Sequence, residues 1–520
     1  MPQKSAIENW IDNHRELLLL TIILPWGKLF SWKDRLISFL TRPDPKDHEK
    51  RVHRVVSDVR RLSRQAKELR TDRRGNRSLT TRISDKSQSQ PIGIRDLRSV
   101  VSIDEAGMTV RVEPFATIGD VVSHLDKKGY QLETAIEMKG ATIGGLVLAI
   151  GMTTKSHITG LMHDIVEAYE IVTAEGELLR VTKEGEHADL FRAIPWSHGT
   201  LGFLVAIEMR IIPATPYVRL VYRPFYSLET YCEEHSRLLH SDNPPTYLEA
   251  QVFGRNKAVI IEGYPAGKEE AGDFPVNDVN SWHKPFFFKH VESMLELGEG
   301  RDFSELVPLT SFLMRHERSM CMTMGQIVPS ANNVWFRRFF GWTLPPNMPL
   351  LKSSRPTEER ERSMKRQVYQ DFAFPSEHLQ GMLEHLHDEF EIYPLLIYPC
   401  RVFDRGGMVR LPGQRAVEWD GTERSALYFN IGIYGEPKAV REGNFDYPTV
   451  NKVREIEQKI SDLGGFLHTY VDIFSTKEEF EAMFDHSLWR KMRQKYGAEG
   501  VFPEIYDKVK PELDPLQFVR

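Results

Sequence analysis

The chain of 520 residues is poor in cysteine, and the three it has lie far apart at positions 232, 321 and 400. Without a C-x-x-C pair, neither a disulfide framework nor a tetrahedral zinc site is expected. Unpaired thiols are typical of a chain that faces a reducing compartment. The histidines of "EHLQGMLEHLHDEF" lack the H-E-x-x-H spacing of a metal-binding helix, so we expect no metal.

Both common nucleotide fingerprints are also missing. The glycine-rich stretch "TIGGLVLAIGMTTKSHITG", Thr142 to Gly160, does not have the spacing of G-x-G-x-x-G. A P-loop is excluded because no glycine immediately precedes Lys155–Ser156. Backbone amides at Gly144 and Gly145 could still approach an anionic group closely, since no side chain intervenes. The two open interpretations are an unusual phosphate cradle and simple turn glycines.

Charge of one sign is not in large excess, because the net charge is only −5. No nucleic-acid partner is therefore expected. Hydrophobic residues at 41% and charged residues at 27% indicate a folded protein, and the length predicts two or three domains.

A hydrophobic run long enough to span a membrane is absent as well. The apolar stretch from Leu17 to Leu24 falls short of the roughly 20 residues that a spanning helix needs. Aromatic and basic residues follow it in "PWGKLFSWKDRLISFL", a composition that suits a segment lying among lipid headgroups. A tilted span and a buried helix remain alternatives. The basic helical stretch from Lys50 to Arg70 indicates either a solvated face or attraction to anionic lipid.

From about Asp96 onward the pattern is one of mixed strands and helices. "VEAYEIVTAEGELLRVT" predicts two strands joined at "AEGE", and "TIGDVVSHLDKKG" has helical spacing. An α+β domain ending near Pro213 is predicted. Aromatic-rich segments such as "WHKPFFFKHVE" follow, where Phe286–Phe288 would form either core or a substrate groove.

These stretches together carry a resemblance. "TIGGLVLAIGMTTKSHITGLMHDIVEAYEIVTAEGELLRVT" and "DLFRAIPWSHGTLGFLVAIEMRIIPA" resemble the PCMH-type FAD-binding domain of the vanillyl-alcohol-oxidase superfamily. Within it, "NNVWFRRFFGWTLPP", "YFNIGIYGEP" and "EEFEAMFDHSLWRKMRQKYG" resemble the Δ24-sterol reductase family in the same order. The resemblance implies a two-subdomain FAD-binding domain and an α+β cap domain. The expected divisions are an N-terminal membrane-associated segment at 1–45, the FAD domain at 46–215, the cap at 216–455 and a C-terminal segment at 456–520.

The resemblance also implies the cofactor and its ligands. FAD is expected on the glycine loop and on the nearby "HGTLG" turn, with hydroxyl donors from the threonines and serine of the loop. The expected contacts are Arg74, Arg77, Ser78, Thr142, Ile143, Gly144, Gly145, Gly151, Met152, Thr153, Thr154, Ser156, His157, Gly160, His163, Asp164, Gly199, Thr200 and Gly202.

Several positions depart from the family pattern. Arg77 stands where many superfamily members carry the histidine that bonds covalently to flavin, so non-covalent FAD is implied. Ala149 replaces a common glycine of the loop. In the cap, Met322–Thr323 and Leu396 differ from the family residues, which places the substrate in question rather than the cofactor.

The implied reaction is reduction of a sterol side-chain double bond with electrons from NADPH. An isolated alkene has no carbonyl to polarise it, so the reaction needs a proton donor in a dry apolar site. The candidates are Tyr470, Glu317 and Asp472, and we expect Tyr470 and Asp472 on one strand face. An ordinary core role for Tyr470 remains open.

Two other functions remain open at this stage. One is an oxidoreductase or oxidase of the same superfamily that acts on another sterol or isoprenoid lipid. The other is a non-catalytic relative that binds lipid or a partner. The expected location is the endoplasmic reticulum membrane with the catalytic domain facing the cytoplasm, and self-association is left open.

Overall fold

The N-terminal part of the chain is helical. The computed structural model describes residues 19–65, 67–75, 86–347, 349, 357–409, 411, 417–419 and 423–519. A short π-helical turn, Leu19–Ile23, leads into helix α1, Leu24–Leu40, of which only Leu24 and Gly27 are buried. Across the described ranges, no helix combines the length and the apolar character that crossing a membrane requires.

Helix α2, His48–Leu62, buries a stripe of valines and lies at the start of the region predicted to bind FAD. Val52, Val55 and Val59 recur at helical spacing and are almost fully buried. The basic stretch predicted here is not wholly solvated, because the Arg51 guanidinium lies buried 2.6 Å from Glu113. This ion pair anchors α2 to the domain behind it.

The region predicted to bind FAD contains two sheets. The first pairs β1, Leu69–Thr71, in parallel with β2, Gln90–Ile92. The second has the order β3-β4-β8-β6-β7, with β5 paired to β8. Its strands are β3 Val100–Asp104, β4 Thr109–Val112, β5 Tyr130–Leu132, β6 Val166–Val172, β7 Leu178–Thr182 and β8 Phe203–Pro213. The helices are α3 Ile118–Asp126, α4 Ile143–Leu148, α5 Ser156–Thr159 and α6 Ala188–Ala193. The predicted pair of strands around "AEGE" is confirmed by β6 and β7.

The cap is built on a nine-stranded sheet with the order β12-β9-β11-β10-β14-β16-β13-β17 and β15 paired to β16. The strands are β9 Tyr217–Phe225, β10 Tyr247–Gly254, β11 Lys257–Ala266, β12 Phe303–Pro308, β13 Val368–Pro375, β14 Leu395–Phe403, β15 Val417–Trp419, β16 Glu423–Gly435 and β17 Phe466–Leu467. The helices are α7 Leu228–Leu239, α8 Phe287–Ser293, α9 Leu309–Leu313, α10 Met324–Ile327, α11 Val334–Phe340, α12 Thr357–Arg366, α13 Leu379–Glu389, α14 Lys438–Arg441 and α15 Thr449–Asp462. The predicted α+β class is confirmed.

The C-terminal segment joins the two domains. Residue 455, where the cap was predicted to end, falls inside α15, and β17 adds a strand to the cap sheet. Three further helices follow: α16 Lys477–Met483, α17 Ser487–Lys495 and α18 Ile505–Val509. On α17, Trp489 donates to the Thr200 hydroxyl at 2.8 Å and Arg493 donates to the Thr200 carbonyl at 2.9 Å. The end of the chain therefore packs against the "HGTLG" turn.

Candidate functional site

The glycine loop forms a tight turn at the start of α4. Thr142 precedes the helix in extended conformation, and the Gly144 amide donates to the Pro114 carbonyl at 2.9 Å. A Cβ on Gly144 would lie 2.7 Å from Pro114 Cβ, so only glycine fits there. Gly145 is exposed, and a Cβ there would lie 3.0 Å from the Thr142 hydroxyl and 3.9 Å from the Arg73 guanidinium. Gly144 thus packs against Pro114, whereas the backbone of Gly145 is exposed.

The hydroxyls of this loop divide into two groups. Thr153 donates to Glu137 at 2.6 Å, and the Ser156 hydroxyl accepts from the Thr153 amide at 3.0 Å. These two groups are therefore occupied within the protein. Thr154 Oγ1 is buried and, among the described residues, has no hydrogen-bond partner. A buried hydroxyl without a hydrogen-bond partner is costly unless a ligand or water supplies one. Thr154 is therefore a better candidate for a cofactor contact than Thr153 or Ser156.

Several residues predicted to contact the cofactor instead contact residues of the cap. The His157 Nε2–H donates to the Pro245 carbonyl at 2.9 Å, and burial lowers the pKa of His157 to about 4. Asp164 pairs with Arg405 of the cap and accepts from the Leu161 amide at 2.7 Å. A Cβ on Gly160 would lie 2.8 Å from Phe403, which explains a glycine at this contact.

Other predicted contacts are packed inside the FAD-binding domain. Ile143 is fully buried, and Gly151 packs against Met162, which a Cβ would approach to 2.5 Å. The His163 ring lies 6.1 Å from that of Trp196, and Gly202 packs directly on β6. These residues shape the loop from behind.

The "HGTLG" turn lies beside the glycine loop. The His198 amide donates to the Leu148 carbonyl at 2.9 Å, and its ring nitrogen Nε2 lies 2.8 Å from the Thr469 hydroxyl. Trp196 and His198 adopt positive φ values of 66° and 52°, as does Gly199 at 69°. Left-handed backbone costs a non-glycine residue about 1–3 kcal/mol and concentrates at functional sites. This turn therefore brings the C-terminal segment to the cofactor loop.

The arginine run before the loop is described only in part. Arg77 and Ser78 lie outside the described residues, and Arg74 is exposed. Arg73, which the sequence analysis did not select, is the one placed near Gly145. Lys86 donates to the Arg73 carbonyl at 2.6 Å, and burial together with Arg73 lowers its pKa to about 8. Arg73 thus lies near the exposed side of the glycine loop, and the Lys86 ammonium is held against the Arg73 backbone.

A buried acid group lies on the cap sheet. Asp371 on β13 pairs with Gly432 on β16, and Tyr434 lies two residues further along the same face. Because Gly432 has no side chain, the Tyr434 hydroxyl reaches Asp371 and donates at 2.7 Å. Burial raises the pKa of Asp371 to about 7, and hydrogen bonds from Tyr434, Tyr470 and Asn430 oppose that rise. Asp371 is thus a carboxyl that holds a proton close to neutral pH.

Tyr470 lies next to this carboxyl. Its hydroxyl interacts with Asp371 and is 3.3 Å from His468 Nδ1. The expectation of a shared strand face with Asp472 is wrong, because β17 ends at Leu467, Tyr470 lies in the turn that follows and Asp472 lies just beyond that turn. The turn forms because the Val471 amide donates to the His468 carbonyl at 3.0 Å. Asp472 itself is half-buried, and its carbonyl accepts from Gln370 at 3.0 Å.

Glu317, the third candidate, lies at a different place. Its carboxylate accepts from the Lys139 amide at 2.8 Å, and burial raises its pKa. The neighbouring Arg315 is fully buried between Glu249 at 2.6 Å and Glu137 at 3.1 Å. Glu249 also bonds His316 at 3.0 Å. This network fastens the cap to the loop that carries Thr153.

Two of the cap residues that depart from the family pattern, Met322 and Leu396, line an apolar cluster. Met322, Leu396 and Tyr398 pack there with Phe286 and Phe288, while Phe287 belongs to the main core. The cluster extends from α1, through Leu24, to the partly buried Met152 of the glycine loop. Met320, Cys321 and Met322 all have positive φ values, of 48°, 49° and 75°. A strained segment therefore forms one wall of this cluster.

Sequence reasoning missed Asp371, Tyr434 and Glu137. A signal for Asp371 existed, since it is a lone carboxylate in the apolar strand "VYQDFAFP". No local pattern in the sequence marks Glu137, which matters because it forms an ion pair with Arg315 across the domain junction.

Comparison with known proteins identifies the class. Residues 55–182 match the family model described as FAD binding domain. The Delta(24)-sterol reductase of Homo sapiens is 33% identical over 97% of this chain and 95% of its own length. That of Arabidopsis thaliana is 31% identical over 97% and 93%. The chain belongs to the Delta(24)-sterol reductase family. It is an FAD-dependent oxidoreductase, and the resemblance seen in the sequence is confirmed.

The described residues fit the FAD of this family. Gly145 leaves an exposed backbone approach, Arg73 and Lys86 supply positive charge, and Thr154 has an orphaned hydroxyl. Anionic pyrophosphate suits such a set, because exposed amides and cations both favour negative charge.

Substitution of Gly144 by alanine is expected to weaken FAD binding about tenfold, because overpacking against Pro114 displaces α4. The measurement is flavin titration of the purified full chain. Gly140→Ala is the matched control, since its Cβ would meet nothing within 4 Å. Equal flavin affinity in both variants would show that the Gly144–Pro114 contact does not position the loop.

The buried Asp371 should make stability depend on pH. Its folded pKa of about 7 lies above the usual value, so the folded state holds a proton that the unfolded state releases. The contribution of protonated Asp371 to the free energy of unfolding is complete below about pH 4 and is lost as pH rises through about 7. Asp371→Asn should therefore gain stability relative to wild type between these values, measured by urea unfolding. Asp507→Asn, at an exposed aspartate, controls for charge; matching slopes in wild type and Asp371→Asn would contradict the assignment.

Proposed function

We propose that this chain reduces the Δ24 side-chain double bond of a sterol, with non-covalent FAD as cofactor and NADPH as electron donor. Support comes from the relatives, which are named for this reaction and match 97% of the chain, cap included. The cap shapes the substrate site, so similarity over its whole length bears on the substrate as well as the cofactor.

The proposed proton donor is Tyr470, with Asp371 behind it. An effective proton donor has a pKa near the working pH. The pKa of Asp371, about 7, satisfies this condition, whereas burial holds the pKa of Tyr470 well above its usual value. Tyr470 is the less buried of the two and can reach a substrate. We therefore infer that Asp371 restores the proton that Tyr470 delivers, while Tyr434 fixes the carboxyl.

The balance of the reaction follows from the alkene. A proton adds to its less substituted carbon, and a hydride adds to the other carbon, where positive charge develops. That hydride would come from FAD after its two-electron reduction by NADPH. The residues of this chain hold the proton at Tyr470, exclude water through the apolar cluster, and orient the hydrocarbon against the loop at Met152.

Membrane association is part of the proposal. Helix α1 exposes Trp26, Phe30 and Phe39 beside lysines, as expected of a helix lying in the headgroup region. Its Leu24 reaches into the apolar cluster, which would give a lipophilic substrate a short route from membrane to site. The proposed location is the endoplasmic reticulum membrane, with the catalytic domain facing the cytoplasm.

A second candidate is reduction or oxidation of another sterol or isoprenoid lipid. It is favoured by Met322 and Leu396, which depart from the family pattern and both lie in the apolar cluster. Changes in such a cluster alter the shape of the substrate site without affecting FAD.

The experiment uses the full chain loaded with FAD. NADPH should bleach the flavin under anaerobic conditions, and desmosterol should be converted to cholesterol, followed by mass spectrometry. Good flavin loading without conversion would overturn the Δ24 assignment in favour of another lipid. A chain that takes up no flavin would overturn both candidates.

A further inference from the structure

The cap carries an exposed aromatic face on helix α11. Trp335 is 70% exposed, Val334 63% and Phe339 59%. The Trp335 and Phe339 rings stack at 6.3 Å, and Arg338, three residues after Trp335, lies on the same side of the helix. The helix is held on the cap from its other side, by buried Phe336.

This α11 face is continuous with the exposed side of α1. Trp32 of α1 stacks on Trp342, just beyond α11, at 5.6 Å. Lys28 donates to the Leu344 carbonyl at 3.0 Å, and Asn347 donates to the Ser31 hydroxyl at 3.1 Å. Two segments distant in sequence thus present aromatic rings side by side.

A third segment completes the same surface. Trp282 is 47% exposed and lies against Gly341 at the end of α11. Arg318 fixes this segment by donating to the carbonyls of Trp282 and Ser281, both at 2.8 Å. Arg318 is itself buried, so the exposed Trp282 rests on a rigid support.

The charges of the surface formed by α1 and α11 indicate what binds to it. Within helices α1 and α11 the only acid is Asp34, and Lys33, Arg35 and Arg338 are exposed cations, with Lys28 and Arg337 partly buried beside them. A second copy of the chain would bring like charges together around a two-fold axis, which is unfavourable. Anionic lipid headgroups complement these cations, and tryptophan and phenylalanine among them suit the headgroup boundary.

We propose that the α11 face is a second membrane contact of the cap, which together with α1 seats the protein on an anionic bilayer at two points. The inference rests on the proposed membrane association through α1. Its consequence is orientation: Phe336 of α11 and Leu24 of α1 both belong to the apolar cluster that reaches Met152. Two contacts hold that end of the cluster against the lipid, whereas a single helix would leave the cap free to turn away.

The test is flotation of the FAD-loaded full chain with phosphatidylcholine vesicles, with and without phosphatidylserine. The double variant Trp335→Ser/Phe339→Ser should reduce partitioning about tenfold or more, because two exposed rings leave the lipid. The matched control is Phe445→Ser, at a cap phenylalanine of similar exposure, 58%. Arg338→Glu should reduce partitioning about fivefold or more with phosphatidylserine and little without it.

The outcomes separate the proposals. Wild-type binding that is unchanged in the double variant would overturn the α11 contact while leaving α1 as an anchor. A double variant that changes only the sedimentation from dimer to monomer would mean that a second copy covers the face, which also overturns it. Turnover of detergent-solubilised sterol, measured in parallel, reports on the proposed function independently and verifies that each variant is folded.

Discussion

Replacement of Arg315 by methionine should lower the free energy of unfolding by about 3–5 kcal/mol, a large part of the total stability of an ordinary domain. Arg315 is 2% exposed and is the cation shared by Glu249 and Glu137. Without it, two carboxylates remain buried beside each other. The guanidinium also lies 4.3 Å from the centre of the Phe312 ring, a contact that methionine replaces only in part.

The measurement is urea unfolding of the FAD-free chain, with tryptophan fluorescence as the probe. Arg61→Met is the matched control, because the Arg61–Asp58 pair is on the surface and should contribute less than about 1 kcal/mol. Combining Arg315→Met with Glu249→Gln should recover part of the loss, since the uncompensated charge is then removed. Equal destabilisation by Arg315→Met and Arg61→Met would exclude a role for this network in joining cap and FAD domain.

The same network has a pH dependence of defined sign. Arg315 and His316 hold the pKa of Glu249 at about 2 against the effect of burial. A carboxyl with a lowered folded pKa contributes stability above its unfolded pKa, and this is lost as pH falls toward 2. The substitution Glu249→Gln removes this pH-dependent contribution to the free energy of unfolding.

Substitution of Tyr470 by phenylalanine should reduce turnover by about 10²-fold or more, the usual contribution of a positioned proton donor. Only the hydroxyl is lost, so the ring still packs on His468, 5.5 Å away. Flavin loading should remain unchanged, because the hydroxyl contacts Asp371 and His468 and not the glycine loop.

Tyr506→Phe is the matched control for this substitution. Tyr506 is a partly buried tyrosine whose hydroxyl donates to the Ser475 carbonyl at 3.0 Å, away from Asp371. Turnover is followed under saturating sterol and NADPH, and single-turnover flavin oxidation separates the chemical step from cofactor reduction. If Tyr470→Phe retains full single-turnover rate, the tyrosine is a core residue and Asp371 must deliver its proton by another route.

The cofactor half was readable from the sequence through its resemblance to a known FAD-binding family, and some of its structural signals are local. Gly144 and Gly145 are adjacent, and close backbone approach requires glycine wherever it occurs. The hairpin of β6 and β7 follows from β-branched runs with turn residues between them. Even here the detail needed the fold: Arg73, rather than Arg74, lies near Gly145, and the Thr153 hydroxyl is occupied by Glu137.

The substrate half depends on contacts between distant residues. Asp371 and Tyr434 are brought together by the register of β13 with β16, and Tyr470 joins them through the turn after β17. No spacing along the chain encodes such an arrangement, because strand register is set by the packing of whole sheet faces.

The sequence by itself determined the α+β character and the absence of both common nucleotide fingerprints, since these depend on residue types at short spacing, and its ordered stretches carried the resemblance that implied FAD. Only the tertiary structure decided which groups share a site. It joined Arg315 to Glu137 across the domain junction, raised the pKa of Asp371 by burial, and set α11 beside α1. Burial and long-range contact fix the energies of charged and aromatic side chains, and neither exists until the chain has folded.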